Sequence, residues 1–200
     1  MAAVYDGYIS RYINRRISDP IARLLSRTRI TPNQISWAAF GLAVLSFLSF
    51  IYNWNIVAGI LAQFSSIVDG VDGSLARIKG TTSVFGGFLD SILDRNADIL
   101  IILGLTMWSA FNEVDPYTWL IGFLSVTGTL GVSYSRARVN VELRRHFDRG
   151  FLSLASRDIR LFIVMIGAII GQGYFCLIVI AALTHLIIIL RLIFAYRYLR

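Results

Sequence analysis

Five carboxylates stand in or beside two consecutive apolar stretches of the chain: Asp69, Asp72, Asp90, Asp94 and Asp98. A charge at membrane depth costs at least ~2.5–3.5 kcal/mol on insertion scales, so each one needs a reason to be there. Asp69 and Asp72 are spaced i,i+3, and Asp90 and Asp94 are spaced i,i+4, so each pair falls on one face of a helix. A short turn, Lys79 to Thr82, separates the two stretches. Antiparallel packing would then bring four carboxylates together at similar depth. Alone they would repel strongly; one or two divalent cations remove the conflict. Oxygen-only donors suit Mg²⁺ or Mn²⁺ better than Zn²⁺, which prefers His and Cys. Two such ions ~3.5–4 Å apart clamp a diphosphate and polarise the phosphorus under attack. The only histidines, His146 and His185, lie far from the cluster in sequence.

The neighbouring residues suit a nucleotide. Gly70, Gly73, Gly86 and Gly87 let a ligand approach the backbone, although glycine also serves helix packing in membranes. Arg77 follows the first Asp pair by about one turn and can reach a phosphate, or anchor the span at the membrane face.

The elements that must hold these residues are helical and apolar. The chain has 200 residues, 56% of them hydrophobic, with a mean hydropathy of +0.66. Its apolar residues fall in runs about long enough to cross ~30 Å of hydrocarbon. Six are expected, over 33–52, 54–77, 83–110, 117–138, 159–172 and 174–196, the fifth starting near Leu154. Before them, residues 4–27 alternate apolar and basic side chains at helical spacing, which fits an amphipathic helix in the membrane interface, broken or bent at Pro20. The fold class is therefore an all-α integral membrane protein, with an N-terminal amphipathic segment over 1–30 and a six-helix domain over 31–200.

Charge supports this arrangement. The net charge is +7, from 19 Lys+Arg against 12 Asp+Glu. The loops 52–55, 112–116 and 171–173 carry no Lys or Arg, whereas the alternate ones are rich in Arg. The positive-inside rule puts both termini and the Asp face in the cytosol. A phosphate-handling membrane face explains the basic balance better than nucleic acid does. The single cysteine, Cys176, forms no intrachain disulfide and reads as packing. Residues 133–160 hold an Arg cluster; Arg136, Arg138, Arg157 and Arg160, with Arg191 on the last span, suit a phosphorylated acceptor. His185 is a weaker candidate for the same cavity. Asp98 reads as a structural partner of Arg95 at i,i+3. The rival class is a cation or proton transporter, but its acids would be spread through the membrane depth.

From Asp69 to Asp94 the chain reads D-x2-D-G-x2-A-R-x8-G-x3-D-x3-D, carried by Asp69, Asp72, Gly73, Ala76, Arg77, Gly86, Asp90 and Asp94. All eight positions resemble the signature of the CDP-alcohol phosphotransferases. The resemblance implies that Asp69, Asp72 and Asp90 ligate metal, of two ions in all, and that Asp94 ligates the second metal, acts as general base on the acceptor hydroxyl, or does both. It implies a CDP pocket formed by Thr31, Pro32, Asn33, Asp69, Asp72, Gly73, Ala76, Arg77 and Gly86, with the Thr31-Pro32-Asn33 loop closing over the nucleotide. An acceptor hydroxyl would attack the phosphorus next to the alcohol, and CMP would leave. Homodimers are implied too; Gly122, Gly128 and Gly131 would mediate them or pack within one chain. The run 133–138 resembles phosphatidylinositol-phosphate synthases. The run 6–16 resembles the membrane domain of di-myo-inositol-phosphate phosphate synthases, which join CDP-inositol to inositol phosphate and are often fused to a cytidylyltransferase. This chain would then be one domain excised from a longer protein. The alternative is a phospholipid synthase using CDP-diacylglycerol or CDP-archaeol, with inositol phosphate or glycerol phosphate as acceptor.

Overall fold

The structure, a computed structural model, describes residues 14–113, 115–148 and 150–199. The N-terminal amphipathic segment is therefore seen only from Asn14 onward; residues 1–13 lie outside the described residues. Eight α-helices follow: α1 (Arg15–Leu25), α2 (Pro32–Ile51), α3 (Asn55–Lys79), α4 (Val84–Asn112), α5 (Thr118–Ala137), α6 (Val141–Phe147), α7 (Arg157–Ile170) and α8 (Gly173–Tyr198), with a 3₁₀ turn at Gly150–Ser153. Among the described residues there are no strands.

Local chemistry sets the boundaries near the acids. Thr31 and Gln34 form a reciprocal capping box at the start of α2, with Pro32 in the first turn. The expected Thr31-Pro32-Asn33 loop is thus a cap and a first helical turn, because the capping box extends α2 back to it. α3 stops at Gly80, whose φ of 65° is left-handed. Ser83 then caps α4, accepting from Gly86 N at 3.0 Å. At the far ends, the Glu113 carboxylate accepts from Gly173 N at 2.7 Å and Tyr174 N at 3.0 Å, closing the start of α8.

Two further boundaries differ from expectation. Pro20 lies inside α1 and does not break it. It forfeits only the bond to Arg16 near the helix start, while Ser18 and Ala22 bury against α3, with Ala22 joining Val71 and Leu75. α7 begins at Arg157 rather than near Leu154, because the 3₁₀ turn precedes it. The basic stretch before α7 also forms the short helix α6, for which its sequence gave no clear apolar period.

α2 packs on both α3 and α4, α3 packs on α7, and α5 packs on α8, while α3 and α4 touch little. The core runs through Ala43, Ala62, Ile101, Leu105, Val164, Leu177 and Ile180. Its polarity is inverted relative to a soluble protein. Ser46, Ser65, Ser125, Thr129 and Thr184 are buried, and Trp37, Phe64, Phe88, Phe123, Ile170 and Leu192 face outward. Small and hydroxylated residues inside with large apolar residues outside is the packing of membrane helices. Among the described residues three helices, α2, α3 and α8, are long and apolar enough to cross a membrane by themselves, against the six expected. α4 carries Asp90, Asp94, Arg95 and Asp98, and α7 has only 14 residues. The glycines weighed for dimerisation are used inside the chain: Gly122 faces Thr106, Gly128 faces Thr184 and His185, and Gly131 faces Ile188.

Candidate active site

Three of the five carboxylates meet. Asp69 and Asp72 on α3 and Asp90 on α4 each bring one oxygen to within 4.8 Å of the others. Ser36, one turn into α2, donates its hydroxyl to Asp72 Oδ2 at 2.5 Å. A donor set of carboxylate oxygens, closely spaced and partly buried, fits a hard divalent cation. Asp94 is held differently. Arg157, the first residue of α7, places Nη1 2.8 Å from Asp69 Oδ2 and 2.9 Å from Asp94 Oδ1. Arg95 adds a 3.2 Å contact to Asp94 Oδ2.

Asp98 does not pair with Arg95. Arg95 turns to Asp94, and α7 supplies Arg157 Nε at 3.0 Å and Arg160 Nη2 at 2.7 Å to Asp98, which is 1% exposed. Arg160 also donates to the Ala155 carbonyl.

Two cavities flank the carboxylate trio and share Asp90. The smaller, about 250 Å³, is lined by Pro32, Asn33, Asp72, Gly73, Ala76, Arg77 and Gly86, as expected for the nucleotide side, together with Ser36, Thr81, Thr82, Ser83 and Gly87. Gly73 faces Arg77, and Gly86 faces Ser83 and Asn33, so a β-carbon at Gly86 would crowd the cap. Arg77 is steadied by Ser74 Oγ at 3.0 Å. Asp69 lines the other cavity, and Thr31 lines an adjoining cleft with Lys79. Lys79 Nζ donates to the Thr28 and Ile30 carbonyls, at 2.7 Å each, tying the segment before α2 to the end of α3.

The larger cavity, about 480 Å³, collects Asp69, Asp90 and Asp94 with Arg136, Arg157, Arg160 and Arg191. Four of the five proposed acceptor arginines therefore face one space. Arg138 is not in its lining and Arg144 is. Each of the four is braced. Arg136 pairs with Asp148 at 2.8 Å, and Arg191 donates to the Val132 and Leu152 carbonyls at 2.8 and 2.9 Å and stacks on Phe147. Burial pushes the Asp148 carboxyl upward, with Arg136 opposing the shift. His185 is not in this lining; its Nδ1 lies 2.9 Å from the Ala181 carbonyl of its own helix. Cys176 is buried and free, as expected.

Apolar helices thus gather the carboxylate trio between a glycine-lined cavity and an arginine-lined one. Residues 29–196 match the model of the CDP-alcohol phosphatidyltransferase family, and the chain belongs to that family. It is 39% identical over 165 residues, 80% of this chain, to the "Bifunctional IPC transferase and DIPP synthase" of Thermococcus kodakarensis, of which the match covers 37%. The chain spans less than half the length of that curated relative. It is 31% identical to the "Archaetidylinositol phosphate synthase" of Pyrococcus horikoshii, over 87% of this chain and 91% of that one. Among solved structures, the phosphatidylinositol phosphate synthase of Mycobacterium tuberculosis with CDP-DAG bound superposes with a TM-score of 0.73, at 26% identity over 88% of this chain and 92% of that one.

Proposed function

We propose that this CDP-alcohol phosphotransferase takes CDP-inositol as donor and inositol phosphate as acceptor, releasing CMP and a phosphorylated di-inositol phosphate. The observation that carries the reading is the pair of cavities meeting at Asp90, one lined by the signature's glycines and Arg77, the other by four braced arginines. Cytidine and its phosphate fill the smaller cavity, with Pro32, Asn33, Gly73, Ala76 and Gly86 as walls and Arg77 on the phosphate. Asp69, Asp72 and Asp90 hold Mg²⁺ or Mn²⁺, with Asp94 completing the set for a second ion. Bound metal supplies neutralisation of the diphosphate and polarisation of the phosphorus.

Arg136, Arg160 and Arg191 bind the acceptor's phosphate in the larger cavity, and Arg157 orients the hydroxyl end beside Asp94. Asp94 takes the proton of the acceptor hydroxyl. The acceptor's oxygen bonds to the phosphorus next to the donor alcohol, the bond from that phosphorus to the CMP oxygen breaks, and CMP leaves with the electron pair. In this reading α2, α3, α4, α5 and α8 cross the bilayer and the shorter α7 enters it as the sixth, with both termini and the site on the cytosolic side, as the Arg distribution favours. The chain pairs with a second copy in the bilayer. A fused or associated cytidylyltransferase supplies the donor, in keeping with the bifunctional relatives' names.

One observation favours a second reading: the archaetidylinositol phosphate synthase is matched over 91% of its length. In that case the donor is CDP-archaeol or CDP-diacylglycerol, and the acceptor is inositol phosphate or glycerol phosphate. Purified protein with Mg²⁺ and inositol phosphate, offered CDP-inositol or a CDP-linked lipid, separates the two. CMP and a water-soluble di-inositol product from CDP-inositol support the first. CMP from the lipid donor alone transfers the protein to phospholipid synthesis.

A further inference from the structure

The arginines and carboxylates do not account for the whole wall of the larger cavity. Asn14, Ser66 and Gly70 also belong to its wall, Ser66 and Gly70 on the same helix as Asp69. Asn14 stands where an N-cap would, yet its side chain makes no capping bond to α1. Its amide is spent on α3: Nδ2 donates to Ser66 Oγ at 3.2 Å, and Oδ1 accepts from Gln63 Nε2 at 3.0 Å. All three residues are nearly dry, at 3%, 7% and 6% exposed for Asn14, Ser66 and Gln63. Ser66 Oγ accepts from Asn14, and among the described residues its own hydrogen reaches no acceptor. Gln63 Oε1 has no partner among them either. Asn14 and Ser66 belong to the cavity wall while Gln63 lies outside it, and dry polar groups at a cavity wall can recognise a polar ligand.

Its place on α3 says which substrate it meets. Ser66, Asp69, Asp72, Gly73 and Ala76 follow one another along a single face of that helix, over about 15 Å from Ser66 to Ala76 at ~1.5 Å per residue. The nucleotide cavity takes Gly73 and Ala76, and the carboxylates take the diphosphate. The group on the other side of the diphosphate then lies against Ser66.

Resting on the function proposed above, we propose that Ser66 and Asn14, with Gln63 holding the Asn14 amide, form the subsite for the hydroxyls of the donor's alcohol, which is a polyol. The charged acceptor takes the arginines, and the uncharged donor alcohol takes the Asn14 amide and the Ser66 hydroxyl. A lipid-linked donor would set apolar chain against the amide and leave it unpaired, a penalty larger than the loss of a single favourable contact.

The test is steady-state CMP release by the full chain with Mg²⁺, inositol phosphate and CDP-inositol, comparing wild type with Ser66→Ala and Asn14→Ala. Each variant is expected to raise the KM for CDP-inositol about tenfold. The inhibition constant of free CDP and the KM for inositol phosphate should stay unchanged, which also shows that the variant is folded. An unchanged donor KM, or a CDP inhibition constant that rises in step with it, overturns the subsite and assigns the cluster to helix packing. Wild-type protein that releases CMP only from a CDP-linked lipid overturns the proposed donor itself, and the subsite with it.

Discussion

Arg157 Nε donates to Asp98 Oδ1 at 3.0 Å, and this bond decides where the rest of the guanidinium goes. With that edge fixed, Nη1 reaches both Asp69 and Asp94, one residue from each half of the signature. Asp98 is itself fixed by Arg160. α7 thus reaches the chemistry of α3 and α4 through a buried ion network rooted at a residue outside the signature.

Asp98→Asn keeps the shape and removes the charge, leaving Arg160 buried and uncompensated. Breaking such a pair costs about 3–5 kcal/mol. Unfolding of the purified protein by heat or SDS should show the loss. A change below ~1 kcal/mol would mean that water reaches the pair.

Asp94 lines the larger cavity and not the smaller one. Asp94→Asn should therefore lower turnover by at least ~10²-fold while CDP binds as before. Single-turnover CMP release together with CDP calorimetry checks both halves. Near-normal turnover would remove Asp94 from the role of base.

Ser36 acts on Asp72 and reaches no other signature acid by a hydrogen bond. Ser36→Ala should raise the Mg²⁺ concentration for half-maximal activity about tenfold, with turnover regained at saturating metal. A Mg²⁺ titration identical to that of wild type would show that the hydroxyl does not orient the carboxylate.

Lys79 is the only lysine in the chain, and it fastens the segment before α2. Lys79→Met should weaken donor binding by about three- to tenfold and leave the acceptor KM unaltered. Lys79→Arg should restore much of the loss. If the two variants behave alike, the two carbonyl bonds do not position Asn33.

The signature acids were legible because i,i+3 and i,i+4 spacings survive in any helix. Gly73, Gly86, Gly87 and Arg77 share the smaller cavity, whereas Gly70, weighed with them, lines the larger one. The network around Arg157 was not legible, since its partners lie far away in sequence and a local rule offered Arg95 to Asp98 instead. α1 ran through Pro20 because burial of Ser18 and Ala22 outweighs one missing bond near a helix end. Ser36 went unnoticed because serine in an apolar helix is ordinary; the useful sign was its place one turn after the cap at Thr31. The short helix α6 and the 3₁₀ turn rest on tertiary contacts, such as those of Phe147 with Phe194 and Arg191, that no period in the sequence announces.

With 14 residues, α7 measures about 21 Å, against the ~30 Å of a bilayer's hydrocarbon. In the six-span reading its inner end, Arg157, lies some 9 Å below the headgroups of the inner leaflet. On the proposed arrangement the arginine-lined cavity would be a notch cut into that leaflet. A water-soluble acceptor can descend to the metal ligands, react and return to the cytosol without ever partitioning into lipid.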